Sequence, residues 1–369
     1  MRVALDGTPL TVSSGGIRRY TEELSRALAL EFPSDQFHLL SDQRFEAPSA
    51  APPNLFADSH RPANRVTRRW WLAGVQLRMA KLGIAVFHGV DFAVPYLPLR
   101  PSVLTLHDLS PWMESGWHQD AARVRRRTPP LIRLGIATMI ITPSEAVRKQ
   151  AMERFLIHAD RIVAVPEAAS VHLRSTSVAS ESRLYSDSTP YFDSTPYFLF
   201  VGTLEPRKNV HTLIEAWRTL RRHRAVDLVL AGRHRADAPS IAEQPGLRIL
   251  GEVPDTDLPA LYSGAIATVY PSLYEGFGLP VVEAMQCGCA VIASRDPAIM
   301  EVSEEAAIHV DAQDARGLAA AMEHVLGDAV ELRGRRERAL RQASAFSWSR
   351  TAKQTREVYA EAVRRFAGR

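Results

Sequence analysis

The sequence predicts an α/β fold made of two doubly wound, parallel-sheet domains in series. Its 369 residues exceed what one ordinary hydrophobic core accommodates, so two domains of roughly 180 residues each are expected. Short β-prone runs alternate with longer helical patterns, the signature of parallel strands joined by crossover helices. The alternation then breaks at a Ser- and Thr-rich stretch and starts again.

In the first half, strands are expected at 3–5, 37–40, 84–88, 102–106, 138–141 and 161–165, with helices at 17–30, 65–82, 121–134 and 144–155. The first strand leads into a loop carrying Gly15 and Gly16, ahead of a helix. A glycine pair there suits close approach of a phosphate, and equally a plain turn, because its spacing is not G-x-G-x-x-G. A hexapeptide, Asp187-Ser188-Thr189-Pro190-Tyr191-Phe192, is repeated at once as Asp193-Ser194-Thr195-Pro196-Tyr197-Phe198. Such a duplication is best tolerated where chain length is unconstrained, so residues 181–196 are read as the connection between a domain of 1–180 and one of 197–348.

The second half resumes with strands at 197–201, 227–231, 248–250, 265–270, 290–293 and 308–310. Helices are expected at 209–222, 279–286, near 298, and at 315–326 and 330–345, and a last helix, 349–366, is expected to cross back onto the first domain. Ligands of such sheets bind at the carboxyl ends of the strands, so a cleft between the domains is the expected site.

Composition narrows the ligand. Of 45 basic residues only 4 are Lys, at 81, 149, 208 and 353, which favours the bidentate contacts Arg makes to phosphates and carboxylates. No Lys/Arg run is interleaved with aromatics, so nucleic acid is not expected as a partner. The two cysteines, Cys287 and Cys289, fit a reducing compartment and a buried helix-to-strand junction. The chain opens directly on a strand, without a signal peptide, and no apolar run reaches about 20 residues, so a cytoplasmic protein is expected.

Three segments carry chemistry. Glu275 lies in a turn and Glu283 on the following helix, with Gly276, Phe277, Gly278 and Leu279 between them at a helix start that suits anions or hydroxyls. Spacing alone leaves a metal site, an acid-base pair or a two-ended ligand grip open. Gly202-Thr203-Leu204-Glu205-Pro206-Arg207-Lys208-Asn209 follows a strand and places two fixed positive charges, Arg207 and Lys208, where a diphosphate would meet them. His107 ends a strand of the first domain, suited to a sugar hydroxyl or to the bland role of a core histidine bound to a carbonyl.

Asp255-Thr256-Asp257 has the form of a D-x-D metal motif, but its place before a helix favours an N-cap. No other cluster has metal-ligand spacing, and no metal is expected. Arg65, Arg68, Arg69, Trp70 and Trp71, with Arg123, Arg125, Arg126 and Arg127, fit either docking on an anionic membrane through exposed tryptophans or a helix with one buried face.

With these pieces placed, the chain resembles the retaining glycosyltransferases of family 4, which have the GT-B fold of two Rossmann-like domains facing across a cleft. The likeness spans nearly the whole chain, is strongest over 198–311, and rests on the E-x7-E motif of Glu275 and Glu283 within Pro271-Ser272-Leu273-Tyr274-Glu275-Gly276-Phe277-Gly278-Leu279-Pro280-Val281-Val282-Glu283. The resemblance implies that Glu283 holds the donor ribose and Glu275 contacts the donor sugar. It implies that amides at Phe277, Gly278 and Leu279 bind sugar and phosphate, that Lys208 with Arg207 clamps the diphosphate, and that His107 lies by the donor sugar. Gly15 and Gly16 match a loop closing over phosphate and acceptor. Thr203 stands where many relatives have arginine, and the 298–305 loop lacks a common glycine.

The family likeness further implies metal-independent transfer with retention, in which the leaving phosphate takes the acceptor proton. No cofactor is implied, because the nucleotide-diphosphate sugar is a substrate. Bacterial polysaccharide mannosyltransferases are the most similar subgroup, which suggests GDP-mannose as donor, a glycan or lipid-linked acceptor, and work at the inner face of the plasma membrane. Two other readings stand beside transfer: a GT-B nucleotide-sugar epimerase, and a non-catalytic nucleotide-sugar-binding protein.

Overall fold

A computed structural model describes residues 1–12, 15–48, 50–59, 61–114, 116–118, 120–174, 195–238 and 240–368. The duplicated hexapeptide, apart from 195–198, lies outside the described residues. The chain separates into two compact units, one of Met1–Glu114, His118–Glu167 and Ser347–Arg369, the other of Ser115–Trp117 and Ala168–Phe346.

The first unit is a parallel sheet with covering helices. In chain order it contains β1 (Arg2–Asp6), α1 (Gly16–Glu31), β2 (Gln36–Ser41), β3 (Leu55–Ser59), α2 (Val75–Leu82), β4 (Val86–Gly89), β5 (Ser102–Thr105), α3 (Ala121–Arg133), β6 (Met139–Thr142), α4 (Glu145–Phe155) and β7 (Ile162–Ala164). The strand order is β3-β2-β1-β4-β5-β6-β7, every neighbouring pair parallel. The order reverses direction between β1 and β4, so the adjacent crossovers leave a crevice at the carboxyl ends of these strands. Helix α4 starts where Ser144 Oγ accepts the amide of Val147 at 3.2 Å, a side-chain cap for one of the orphan donors of the first turn.

Two sequence expectations are corrected here. Strand β3 was not anticipated, because only Leu55 of its five residues is buried and it forms the sheet edge, so it lacks a continuous apolar run. The expected helix over 65–82 is broken. Asn64 Oδ1 accepts the amides of Val66 and Thr67 at 3.0 and 2.9 Å and holds a turn, Trp70–Gly74 forms one π-helical turn, and only α2 is regular.

The second unit repeats the architecture: β8 (Tyr197–Val201), α5 (Val210–Arg221), β9 (Asp227–Ala231), β10 (Leu247–Gly251), α6 (Leu258–Gly264), β11 (Ala267–Tyr270), α7 (Leu279–Gln286), β12 (Ala290–Ser294), α8 (Pro297–Ser303), β13 (Ala307–Val310), α9 (Ala315–Gly327) and α10 (Ala329–Ala343). Its parallel order is β10-β9-β8-β11-β12-β13, with the reversal between β8 and β11. Strand β8 is buried on both faces, as a central strand under two helical layers must be, and burial of each of Phe198, Leu199 and Phe200 stabilises the unit by about 1.5–3 kcal/mol. Cys287 and Cys289 are free and buried where α7 passes into β12.

The last helix, α11 (Trp348–Ala367), belongs to the first unit and packs on α1. Arg356 Nε meets Asp35 at 2.6 Å and Thr351 Oγ1 donates to the Pro166 carbonyl at 2.7 Å. In the core beneath, the Tyr359 hydroxyl shares a 2.7 Å hydrogen bond with His88 Nδ1, and His88 Nε2 another of 2.7 Å with Thr105.

Candidate active site

The reversal between β8 and β11 gathers the second unit's candidate residues. Beyond β8, Pro206 opens a single 3-10 turn, Pro206–Lys208, and Asn209 closes it at φ 55°, a left-handed conformation that Asn tolerates. Asn209 Nδ2 donates to the Pro271 carbonyl at 3.1 Å, and Leu273 N donates to the Arg207 carbonyl at 2.9 Å. The loops after β8 and β11 are thereby tied together, and Glu275 is brought against the two cations.

The result is a buried ion cluster. Lys208 Nζ lies 2.6 Å from Glu275 Oε1, and Arg207 Nη1 lies 3.0 Å from Oε2. Lys208 also donates to the Tyr270 hydroxyl at 2.5 Å, and Arg207 to the Tyr274 carbonyl at 2.7 Å. Burial by itself would push the Glu275 carboxyl up, but the charges of Lys208 and Arg207 outweigh it and hold the pKa at about 2. Burial lowers the Lys208 pKa, against the pull of Glu275.

Several members of this site carry no motif and escaped the sequence reading. Asp296 Oδ2 accepts the Glu275 amide at 3.2 Å, while Oδ1 accepts those of Ala298 and Ile299 at 2.9 and 3.2 Å, so one side chain caps α8 and fixes the Glu275 backbone. Burial and the neighbouring Glu275 raise the Asp296 carboxyl to about 6. Arg235 joins the network through Glu205 Oε2 at 2.9 Å, and Glu205 Oε1 meets Arg207 at 2.9 Å. The Asp296-Pro297 pair was a legible helix-start signal, whereas nothing local marked Arg235.

Gly276, Phe277 and Gly278 are buried in the turn before α7, Leu279 is half-buried, and Gly278 takes φ 91° at the helix start, a conformation strained for residues with a Cβ. Its carbonyl accepts from Val281 and Val282, so the amides of Gly278 and Leu279 precede the first intrahelical bond. Glu283 is 1 % exposed and accepts from the Tyr262 hydroxyl at 3.1 Å, which puts it beneath the helix surface. Thr203 is half-buried in the loop after β8.

In the first unit, His107 Nε2 donates to the Val90 carbonyl at 2.8 Å and Nδ1 meets Glu167 Oε1 at 3.2 Å. Both partners accept only, so the geometry suits the doubly protonated ring. Burial opposes that charge, but Glu167 and Asp91 prevail and raise the pKa. Donation from a ring nitrogen to a sugar hydroxyl requires one of these bonds to open. Gly15 sits at φ 128° and precedes α1, with open space around it and Gly16.

Asp257 occupies the N-cap position of α6 but makes no side-chain cap bond. Trp70 is buried with Ala4, Leu40, Met79 and Phe87, and Trp71 packs against that cluster, so of the two alternatives for these tryptophans the structure gives core packing. Among the described residues, no helix is long and apolar enough to cross a membrane.

Residues 14–173 match the family model described as glycosyltransferase family 4, and residues 183–343 the one described as glycosyl transferases group 1. The O-antigen chain mannosyltransferase B of Escherichia coli is 33% identical over 74% of this chain and 74% of its own length. The chain belongs to the family 4 glycosyltransferases. Solved structures share the GT-B fold of this glycosyltransferase at low identity. Sucrose-phosphate synthase from Thermosynechococcus elongatus superposes with a TM-score of 0.73 at 21% identity over 98% of each chain. Anabaena HepE, solved with UDP and glucose, gives 0.71 at 18% identity over 98% of this chain and 99% of that one.

Proposed function

We propose that this glycosyltransferase moves a mannosyl group, with retention and without a metal ion, from GDP-mannose to a growing cell-surface glycan or its lipid-linked form at the inner face of the plasma membrane. The observation that carries the reading is the Lys208–Glu275–Arg207 cluster at the strand reversal of the second unit. The name of the E. coli relative supports the sugar, and the UDP and glucose of the HepE structure support a nucleotide-sugar donor.

In this reading Arg207 and Lys208 neutralise the donor diphosphate as it departs, their charges fixed in a water-poor site where they act strongly. A carboxylate held near pKa 2 is a weak base and a weak nucleophile. Glu275 therefore acts by orienting the cations and the donor sugar, and the leaving phosphate takes the acceptor proton. Amides at the start of α7 contact donor oxygens, with Gly276, Phe277 and Thr203 shaping the approach and Glu283 assigned to the ribose. Gly15 and Gly16 border the phosphate and acceptor.

The test is incubation with a panel of nucleotide sugars, with and without oligosaccharide acceptors and with EDTA. Acceptor-dependent nucleotide release, an α-linked product from an α-linked donor and indifference to EDTA are expected. Donor isomerisation without acceptor would make the protein an epimerase, and binding without turnover a carrier. Glu275→Ala and Lys208→Ala should each lower transfer at least about 10-fold, or about 1.4 kcal/mol.

A further inference from the structure

The first unit holds two neighbouring histidines whose protonation is set by what faces them. His88, on β4, shares 2.7 Å hydrogen bonds with the hydroxyls of Tyr359 and Thr105. A hydroxyl can donate or accept, so a neutral ring is satisfied there, and burial together with the charge of His107 lowers the His88 pKa to about 3. His107 has no such freedom. Its Nε2 faces the Val90 carbonyl at 2.8 Å and its Nδ1 faces Glu167 Oε1 at 3.2 Å, and a carbonyl and a carboxylate only accept. A neutral ring would aim a nitrogen lone pair at one of them.

Three strand ends build this arrangement. Val90 directly follows β4, His107 lies two residues past β5, and Glu167 three past β7. Pro166 restricts the backbone ahead of Glu167, and its carbonyl accepts from Thr351 Oγ1 of α11 at 2.7 Å, so the carboxylate is presented from a segment that is itself held. Glu167 is buried, which strengthens its pull on the ring. The charged groups that face His107 are Glu167 and Asp91, both negative, while His88 on β4 is neutral. From α1 the Tyr20 ring stands 4.7 Å away and nearly perpendicular, at 88°, within the distance at which an aromatic ring stabilises a cation. A ring that donates from both nitrogens has no lone pair to receive a proton. What it contributes to a reaction is a fixed positive charge and, when one of its bonds opens, a donor.

We propose that Glu167 is the positioning residue for His107: it fixes the ring with both nitrogens protonated, so that His107 acts in transfer as a held cation and not as the general base that takes the acceptor proton. The inference rests on the glycosyl-transfer reading and adds to it the charge that the first unit supplies. Activity that needs this cation is full below the His107 pKa, which Glu167 and Asp91 raise, and falls as pH passes it.

Imidazole nitrogen-15 NMR of the full chain near neutral pH, with the His107 signals assigned by their loss in His107→Gln, should show two protonated ring nitrogens. In Glu167→Gln, isosteric and checked for fold by circular dichroism, the ring's titration midpoint should fall by at least about one pH unit. The alkaline limb of kcat/KM for transfer should move down with it. Glu167→Asp, which keeps the charge, should return most of the shift. A merely structural Glu167 would lower activity alike at every pH. A single protonated nitrogen near neutrality, an unmoved midpoint in Glu167→Gln, or kcat/KM that rises with pH through the His107 midpoint, as a general base requires, each overturns the inference. The wild-type spectrum decides the ring's state even where Glu167→Gln does not fold, and it needs no substrate. Absence of turnover with every nucleotide sugar therefore counts against the glycosyl-transfer reading instead.

Discussion

Replacing Lys208 by Met keeps much of the side-chain volume and removes the charge, leaving Glu275 buried against Arg207 alone and the Tyr270 hydroxyl without its 2.5 Å donor. Removing one partner of a buried ion pair costs about 3–5 kcal/mol, and the retained Arg207 contact places this case at the low end, about 3 kcal/mol. For a unit of this size that is a fall in Tm of roughly 6–12 °C. Lys208 is also the largest influence lowering the Glu275 pKa, so that value should rise from about 2 toward or above the ordinary carboxylate range. Native stability tied to Glu275 is present above its unfolded pKa, near 4.5, and is lost as pH falls toward 2. In Lys208→Met that acid loss should shrink, and if the folded pKa passes 4.5 it should reverse, with stability rising as pH falls. Calorimetry at pH 7.5 and at pH 4 on wild type, Lys208→Met, Glu275→Gln and the double variant gives the coupling directly, and roughly 1–3 kcal/mol between the two sites is expected. A well-folded Lys208→Met protein within about 0.5 kcal/mol of wild type, with no coupling to Glu275→Gln, would falsify the buried triad.

A second pH effect has the opposite sign. The Asp6 and Asp296 carboxyls rise to about 6 in the fold, so between roughly pH 4 and 6 the native state keeps protons the unfolded chain has released, and stability falls as pH rises. Asp296→Asn should remove up to about 3 kcal/mol of that fall, measured as the difference from wild type so that the contrary trend of His88, whose pKa burial lowers to about 3, cancels. An unchanged slope refutes the assignment. Tyr359→Phe leaves the buried His88 Nδ1 without its 2.7 Å partner and should cost about 1–3 kcal/mol in urea denaturation. A cost below 0.5 kcal/mol, within the scatter of ordinary surface changes, shows that α11 does not depend on this bond.

Sequence by itself determined the class of this protein. Apolar runs of strand length alternating with helical patterns are local signals, and they were enough for two parallel sheets. Glycine placement and the spacing of Glu275 and Glu283 on either side of a helix start were enough for the turn and the start of α7, and Pro206-Arg207-Lys208-Asn209 for the basic loop. Edge strand β3 and the π-helical turn at Trp70–Gly74 were not legible. The first has too little burial to create a pattern, and in the second the turn held by Asn64 breaks a helix whose hydrophobic periodicity looks continuous. Only tertiary structure decided how the motif residues meet. Asn209 and Asp296, far apart in the chain, lock the two loops so that Glu275 faces Lys208 and Arg207 as an ion triad, and its pKa then follows from contacts that no spacing rule contains. The same holds for the first unit, where Asp6, Asp42 and Asp91 converge because β2, β1 and β4 are neighbours in the sheet although not consecutive in the chain. Strand order is a long-range property of the packed chain, and it is strand order that turned scattered aspartates into a pocket.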